Sequence, residues 1–361
     1  MIGEFEKTEI ERLYRQGLGI RAIERETGLA YGTVWNHVQR IKGKHDLPEL
    51  EPKGVSTCYN AKGEVTQRWV KKDNKAEQAQ MAFISALEGM KDELPKADKV
   101  TLPQYFDKDL CSQYTITDFH LGLMVRAIER GEEWDLEIAE AVLLAWFKRA
   151  IDVSPASAVA ILANIGDFLH FDGLEAVTPT NKHVLDAAGK YPELVRSSLR
   201  VFRKIVAMLL EKHGRVHIIM AEGNHDLASS AWLREALAMH YEDDNRVTVD
   251  TSAVPYYAFE WGDTAMFFHH GHKKKMKVLP EVFASVFSEI FGRTKYRYGN
   301  TGHLHHEDVK EDGTMRMEQH PTLAPNDSHA NSGGWNSKRG AKVITYHKKY
   351  GEYCRFTIRP E

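Results

Sequence analysis

The chain holds only three cysteines in 361 residues, Cys58, Cys111 and Cys354. They lie far apart with no CxxC spacing. That scarcity argues against a disulfide framework and against a thiolate zinc site, and it fits a reducing cytoplasm. No uninterrupted apolar run is long enough to span a bilayer, so no membrane partner is expected. The opening MIGEFEKTEIERLYRQG is acidic and polar and is not expected to act as a signal peptide. Neither charge sign dominates. A formal net charge of −3 neither demands nor excludes nucleic acid, because binding depends on local patches. Internal repeats and low-complexity tracts are also missing.

What is present is an ordinary globular composition, 42% hydrophobic and 27% charged, with room for one large domain and a smaller one. Histidine is the outlier: there are 18, several clustered in the second half.

The first 45 residues read as helix, helix, turn, helix. From Phe5 to Gln16 the apolar residues Ile10, Leu13 and Tyr14 follow helical spacing. Gly17-Leu18-Gly19 breaks that helix, Ile20 to Thr27 forms a short one, and Gly28 suits a left-handed cap. Tyr31 to Ile41 carries Val34, Val38 and Ile41 on one face. Residues 46–54 read as a linker, 55–70 as a hairpin with a Gly turn, and 76–93 as a helix. These segments suggest an N-terminal domain over 1–45, a linker region with hairpin and helix over 46–112, and a main domain over 113–361.

From Gln113 onward strands and helices alternate. Strands are expected at YTIT, AVAILANI, VHIIMA and around Val247, Tyr256 and Met266. Helices are expected near Trp134 to Ile151, Pro192 to Lys212 and Ala231 to Tyr241. This alternation implies an α/β sheet with helices on its faces. The end (MRMEQHP, AKVITYH, CRFTIRP) is β-rich and is expected to close the second sheet of a sandwich.

Polar residues recur where these strands end. They are Asp118 and His120, then Gly166-Asp167, then Gly223-Asn224-His225-Asp226, then His269-His270-Gly271-His272, and last Gly302-His303-Leu304-His305. Ligand sites in open α/β sheets lie beyond the carboxyl ends of strands, where side chains from separate segments converge. The set holds carboxylates, imidazoles and an amide but no thiolate, which suits Mn²⁺, Fe or Zn²⁺ better than Mg²⁺ or Ca²⁺. A glycine in four of the five motifs lets the backbone turn tightly. Taken singly, each motif is more often a turn than a ligand.

In order, these motifs (DxH, GD, GNHD, an H before G, and GHxH) resemble the calcineurin-like metallophosphoesterases from about Gln113 onward. The resemblance implies an α/β fold, an αββα sandwich, behind a small all-α N-terminal domain. It also implies two divalent metal ions, Mn²⁺ first, with Fe, Zn²⁺ and Ni²⁺ as alternatives. Carried across, Asp118, His120 and His305 hold the first ion and Asp167 bridges the two. Asn224, His270 and His303 hold the second. His225 sits above the phosphate and assists the leaving group, and Asp226 orients it. In such centres a water shared by two cations becomes the nucleophile at phosphorus. His269 and His272 fit the pattern less well than His270, and the bland reading of His269 is a packed strand residue.

Other residues bear on substrate. His170, in GDFLHFD, resembles the GDxxH segment of Mre11/SbcD-type nucleases, where a histidine contacts nucleic acid; a second reading is a partner to the ligands. Lys273, Lys274, Lys275 and Lys277 follow His272, and Arg293, Lys295 and Arg297 precede the GHLH turn. Such cations can grip a phosphate backbone, although most lysine runs are simply solvated. Phe267, Phe268, Phe283, Phe287 and Phe291 are expected in the core. The polar loop over 328–340 could overhang the site or be a passive surface.

The segment IRAIERETGLAYGTVWNHVQR resembles the helix-turn-helix of resolvase/Hin-like and transposase-type domains. On that resemblance Tyr31, Thr33, Asn36, His37 and Arg40 face a major groove, and Arg40 and Lys42 contact phosphates. A three-helix bundle for protein contacts is the alternative, because residues 1–44 are only weakly basic. The combination resembles phage- or prophage-encoded proteins. The expectation is a two-metal phosphodiesterase or nuclease acting on DNA, in the cytoplasm, with oligomers allowed because helix-turn-helix readers often pair. One rival is a phosphatase or phosphodiesterase for nucleotides or cyclic nucleotides. Another is a DNA-binding regulator whose phosphoesterase domain is idle.

Overall fold

The structure is a computed structural model. It describes residues 4–16, 18, 20–30, 32–34, 37–38, 52–59, 65–72, 81, 84, 99–126, 133–179, 183–325 and 338–360. The chain divides into two compact units, residues 1–77 and 78–361. No helix among the described residues is long and apolar enough to cross a membrane.

In the smaller unit α1 (Glu4–Arg15) and α2 (Ile20–Thr27) are followed by helical residues at 32–34 and 37–38. Ile10, Leu13, Ile23, Val34 and Val38 form its core, the positions that helical spacing singles out. Gly28 adopts φ +66° and its N–H donates to the Glu24 carbonyl at 2.9 Å, a left-handed cap. The hairpin pairs β1 (Pro52–Tyr59) with β2 (Val65–Lys72). The expected helix over 76–93 lies largely outside the described residues.

The larger unit is built from two sheets. The six-stranded one contains β3 (Asp107–Ile116), β4 (Ser157–Asn164), β5 (Arg215–Met220), β6 (Val247–Val249), β12 (Ala341–His347) and β13 (Gly351–Ile358), in the order β13-β12-β3-β4-β5-β6. The five-stranded one contains β7 (Tyr257–Trp261), β8 (Thr264–Phe268), β9 (Tyr296–Thr301), β10 (Asp308–Glu311) and β11 (Arg316–Gln319), in the order β10-β11-β9-β8-β7. Helices α3 (Leu136–Val153), α4 (Tyr191–Lys212) and α5 (Leu227–His240) cover the first sheet. Helices α6 (Leu279–Val286) and α7 (Ser288–Arg293) cover the second. The layers are therefore αββα.

Period-two alternation explains the layering. On β4, Ala160 and Leu162 face the helices, while Val159, Ile161 and Ala163 face the other sheet. On β8, Met266 and Phe268 point between the sheets, and Ala265 and Phe267 point to α6 with Phe283. Strands buried on both faces read as unbroken apolar runs, as AVAILANI does. Strands β3 to β6 are parallel, and so are β8 and β9, so the ends that carry the polar motifs are carboxyl ends.

The C-terminal strands depart from expectation. Only β11 joins the second sheet, whereas β12 pairs antiparallel with β3 and β13 extends the first sheet. Val343 buries toward the helices while Ile344 and Tyr346 bury between the sheets, so β12 needs cover on both faces. β3 begins at Asp107, earlier than the expected boundary at 113.

Candidate metal centre

Five non-glycine residues have positive φ among the described residues: Asp118, His120, Asp167, His303 and His305. All five are ligand candidates from the strand-end motifs. Left-handed backbone costs an L-residue energy and collects where the surroundings impose it, most often at functional sites. The glycines explain the imposition. A Cβ on Gly223 would lie 1.9 Å from Asp167 Oδ1, and one on Gly302 would lie 1.9 Å from Thr117 Oγ1 and 2.5 Å from Asp118 Oδ2. The loops pack too closely for any side chain there.

Two clusters of ligand atoms that include a carboxylate result, Asp118, His120 and His305, and Asp167, His270 and His303, beside an all-histidine group of His120, His170 and His225. His305 Nε2 stands 3.3 Å from Asp118 Oδ1 and 3.3 Å from His120 Nε2. His270 Nε2 stands 3.1 Å from Asp167 Oδ2 and 3.8 Å from Asp118 Oδ1. The His270 tautomer is fixed, because Nδ1 lies 2.9 Å from the Ile165 carbonyl, which only accepts. Its Nε2 is therefore turned on two carboxylates, an arrangement that calls for positive charge there, from a ring proton or a bound cation. Ligand atoms about 2.0–2.2 Å from one ion are separated by roughly this spacing.

The electrostatics agree. Burial opposes ionisation of Asp118 and Asp167, but His270 together with the neighbouring histidines outweighs it, and both stay well below the usual carboxylate range. Burial likewise opposes charge on His270, yet Asp167 and Asp118 raise its pKa to about 10. A proton on His270 supplies positive charge of the kind a bound metal ion would supply there. Burial, then His225, holds His120 well below its ordinary value. Burial, then His270, lowers His303. Asp118 Oδ1, His120 Nδ1, His270 Nε2 and Asn224 Oδ1 are buried without a hydrogen-bond partner. Buried polar atoms seldom stay unpaired, and these fit hard-to-borderline divalent ions.

The remaining contacts aim the ligands. Thr117 Oγ1 and the His303 N–H hold Asp118 Oδ2 at 2.6 and 2.8 Å, which leaves Oδ1 for an ion. Thr322 Oγ1 donates to the Asp118 carbonyl at 2.6 Å. Asp172 accepts from the N–H groups of Ala228 and Ser229, tying the loop after Asp167 to the start of α5. Sequence reasoning missed these three. Thr117 and Asp172 are adjacent to motifs and could have been found there, but Thr322 reaches Asp118 only through the fold.

His225 donates its N–H to Asp167 Oδ1 at 2.7 Å, and its Nδ1 donates to the His170 carbonyl at 2.8 Å. His170 is buried, its ring stacked on His225 at 5.7 Å and edge-on to His120 at 5.3 Å. Asp226 does not contact the His225 ring as expected. Its carboxylate accepts from four backbone N–H groups, those of Gly223, Asp167, Phe168 and Leu169. Burial and the neighbouring Asp167 push its pKa up to about 7. Asp226 therefore positions the Asp167 loop.

His269 is buried against Tyr256, its Nδ1 accepting from the Gly271 N–H. His272 lies outside both ligand clusters. Lys273 pairs with Glu222. Arg297 is corrected from substrate contact to structural clamp: it donates to the Phe291, Thr314 and Thr294 carbonyls and covers the Phe291 ring. Arg293 and Lys295 pair with Glu260 and Asp263. Phe267, Phe268 and Phe283 are fully buried, as expected of core residues. In the N-terminal unit Thr33 and His37 are half-buried, while Tyr31, Asn36, Arg40 and Lys42 lie outside the described residues. The polar loop over 328–340 also lies mostly outside them.

No family model and no curated protein matches the chain. Among solved structures it is similar to an archaeal phosphodiesterase at 13% identity, over 68% of this chain and 99% of that one, with a TM-score of 0.36. A dimetal phosphatase from Danio rerio gives 8% identity, 71% and 100% coverage, and a TM-score of 0.36. YfcE, a phosphoesterase from E. coli, gives 10%, 69% and 100%, and 0.32. Likenesses at this level carry no argument about what the chain does.

Proposed function

We propose that the chain is a two-metal phosphodiesterase that cleaves nucleic acid, with DNA as substrate and the N-terminal helices as a DNA-binding module. The observation that supports it best is the set of acceptor atoms on Asp118, Asp167, His120, His270 and His305 that face one another at 3.1–3.8 Å. Asp118, His120 and His305 would hold one ion and Asn224, His270 and His303 the other, with Asp167 between them. Mn²⁺ is the metal proposed; Fe, Zn²⁺ and Ni²⁺ suit the same donors. Two such ions, when bound, act as Lewis acids on phosphoryl oxygens and lower the pKa of water toward neutrality.

His225 supplies what the ions do not. The backbone N–H of His225 is held by Asp167, while Nδ1–H, donated to the His170 carbonyl, orients the ring. Its Nε2 is free to hold a proton for the departing oxygen. His170, buried and stacked on that ring, would reach the substrate through His225.

The test is a panel with Mn²⁺: single- and double-stranded DNA, RNA, cyclic dinucleotides, nucleoside monophosphates and an artificial diester. Cleavage of DNA and of the diester supports the reading. Hydrolysis confined to monoesters would overturn it in favour of a nucleotide phosphatase.

A further inference from the structure

Against His303 the protein opens a cleft of about 530 Å³. The segment Gly271–Lys277 forms one wall, and the turn His303-Leu304 with His306 forms the other. Lys274, Lys275 and Lys277 line it, are exposed, and make no ion pair among the described residues. The other two lysines of the cleft are neutralised, Lys273 by Glu222 and Lys310 by Asp308. Met276, between the three unpaired lysines, is buried in the cluster of Phe267 and Phe283. That anchor keeps like charges crowded at the rim, an arrangement that repels itself unless an anion is present. His272, also in the wall, has both ring nitrogens without a partner. At the end nearest the metal centre, Leu304 is 56% exposed between two ligand candidates and offers an apolar face.

A cationic rim, an apolar platform and a wall shared with the ligand candidate His303 fit one kind of occupant. We propose that this cleft is the subsite for the nucleotide flanking the scissile phosphate, and that the strand it accepts is single. This rests on the phosphodiesterase reading above. The lysines would take the flanking phosphate and Leu304 the face of its base. The volume is that of a small-molecule pocket, enough for one nucleotide unit. A base still paired in a duplex could not reach Leu304 without leaving its stack.

The test uses the full chain in EDTA and follows binding of a short labelled oligothymidylate by fluorescence anisotropy across a salt series. Each phosphate neutralised on a single strand contributes about 0.7 to the slope of log K against log salt. The triple variant Lys274→Gln/Lys275→Gln/Lys277→Gln should lose about 2 from that slope and bind at least tenfold more weakly at low salt. Leu304→Ser should weaken binding with the slope retained, which separates the apolar contact from the charge. A slope unchanged in the triple variant, or an oligothymidylate that does not bind wild type, overturns the subsite. An equal loss of slope on a blunt duplex overturns the single-strand assignment. Absence of Mn²⁺-dependent diester hydrolysis in wild type, read in a separate assay, would instead remove the reading beneath it.

Discussion

Asp226 accepts a hydrogen bond from the backbone N–H of Asp167 at 3.2 Å, so one carboxylate sets the position of another that belongs to a different strand end. The same Asp226 oxygen takes the Gly223 N–H, and its second oxygen takes Phe168 and Leu169. Asp226→Asn keeps the shape but replaces one acceptor by an NH₂ group facing N–H donors. Each buried donor left unmatched costs about 1–3 kcal/mol. We expect a loss of about 2–4 kcal/mol in urea denaturation of the metal-free protein. Because Asp167 is then less well held, metal affinity should fall roughly 10–100-fold by calorimetric titration. Wild-type values for both would show that the staple does not matter.

Cation binding at His270 and the two carboxylates is directly measurable. A metal that binds only the folded state raises stability by about 2.7 kcal/mol at a hundredfold excess over its Kd. Wild type should therefore melt several degrees higher with Mn²⁺ than with EDTA. Asp167→Ala and Asn224→Ala should lose most of that increment and cleave an artificial diester at background rates. Melting temperatures that respond to Mn²⁺ as strongly in Asp167→Ala as in wild type would refute the ligand assignment.

The candidate ligand set is legible in the sequence because most of its members are tied to a local necessity. A strand ends, a glycine turns the chain, and a polar residue follows; Gly166-Asp167 and Gly302-His303 both show it. The roles of Asp226 and Arg297 were not legible. Asp226 lies beside His225 in the chain, but helix α5 starts there and turns its carboxylate back onto the Asp167 loop. Arg297 reads as a free cation until Phe291 and Thr294 are seen to curl back beneath it. Placing β12 in the first sheet required knowing which strand lacked a partner, and that is a property of the assembled sandwich.

His225 makes a kinetic prediction that its geometry fixes. Its Nδ1 is engaged by the His170 carbonyl, so only Nε2 can serve a leaving oxygen. Proton donation of this kind contributes about 10²–10⁴-fold. His225→Ala should lower kcat by about that much on a diester with a poor leaving group, and far less with a nitrophenolate, which leaves without a proton. Equal losses on both would refute proton donation by the His225 ring, because the backbone N–H that holds Asp167 is kept in the alanine variant.

The last prediction concerns stability against pH, away from the metal centre. His213 is fully buried; its Nδ1 accepts from the Ser157 N–H at 3.1 Å, and its Nε2 lies 2.7 Å from the Tyr114 hydroxyl. That network is complete for the neutral ring. Burial, and then the nearby Lys212 charge, lower its pKa to about 3. In the unfolded chain the ring has an ordinary pKa near 6.5. Between these values the unfolded state binds a proton that the folded state refuses, so stability rises with pH there. The contribution is complete above about pH 6.5 and is lost progressively on acidification toward 3, at up to about 1.4 kcal/mol per pH unit. His213→Gln removes the titration. Its urea midpoint should be lower than wild type at pH 8 and should close on the wild-type value between pH 6.5 and pH 4. A constant gap across that window would mean that His213 takes up its proton in the folded state as readily as in the unfolded one.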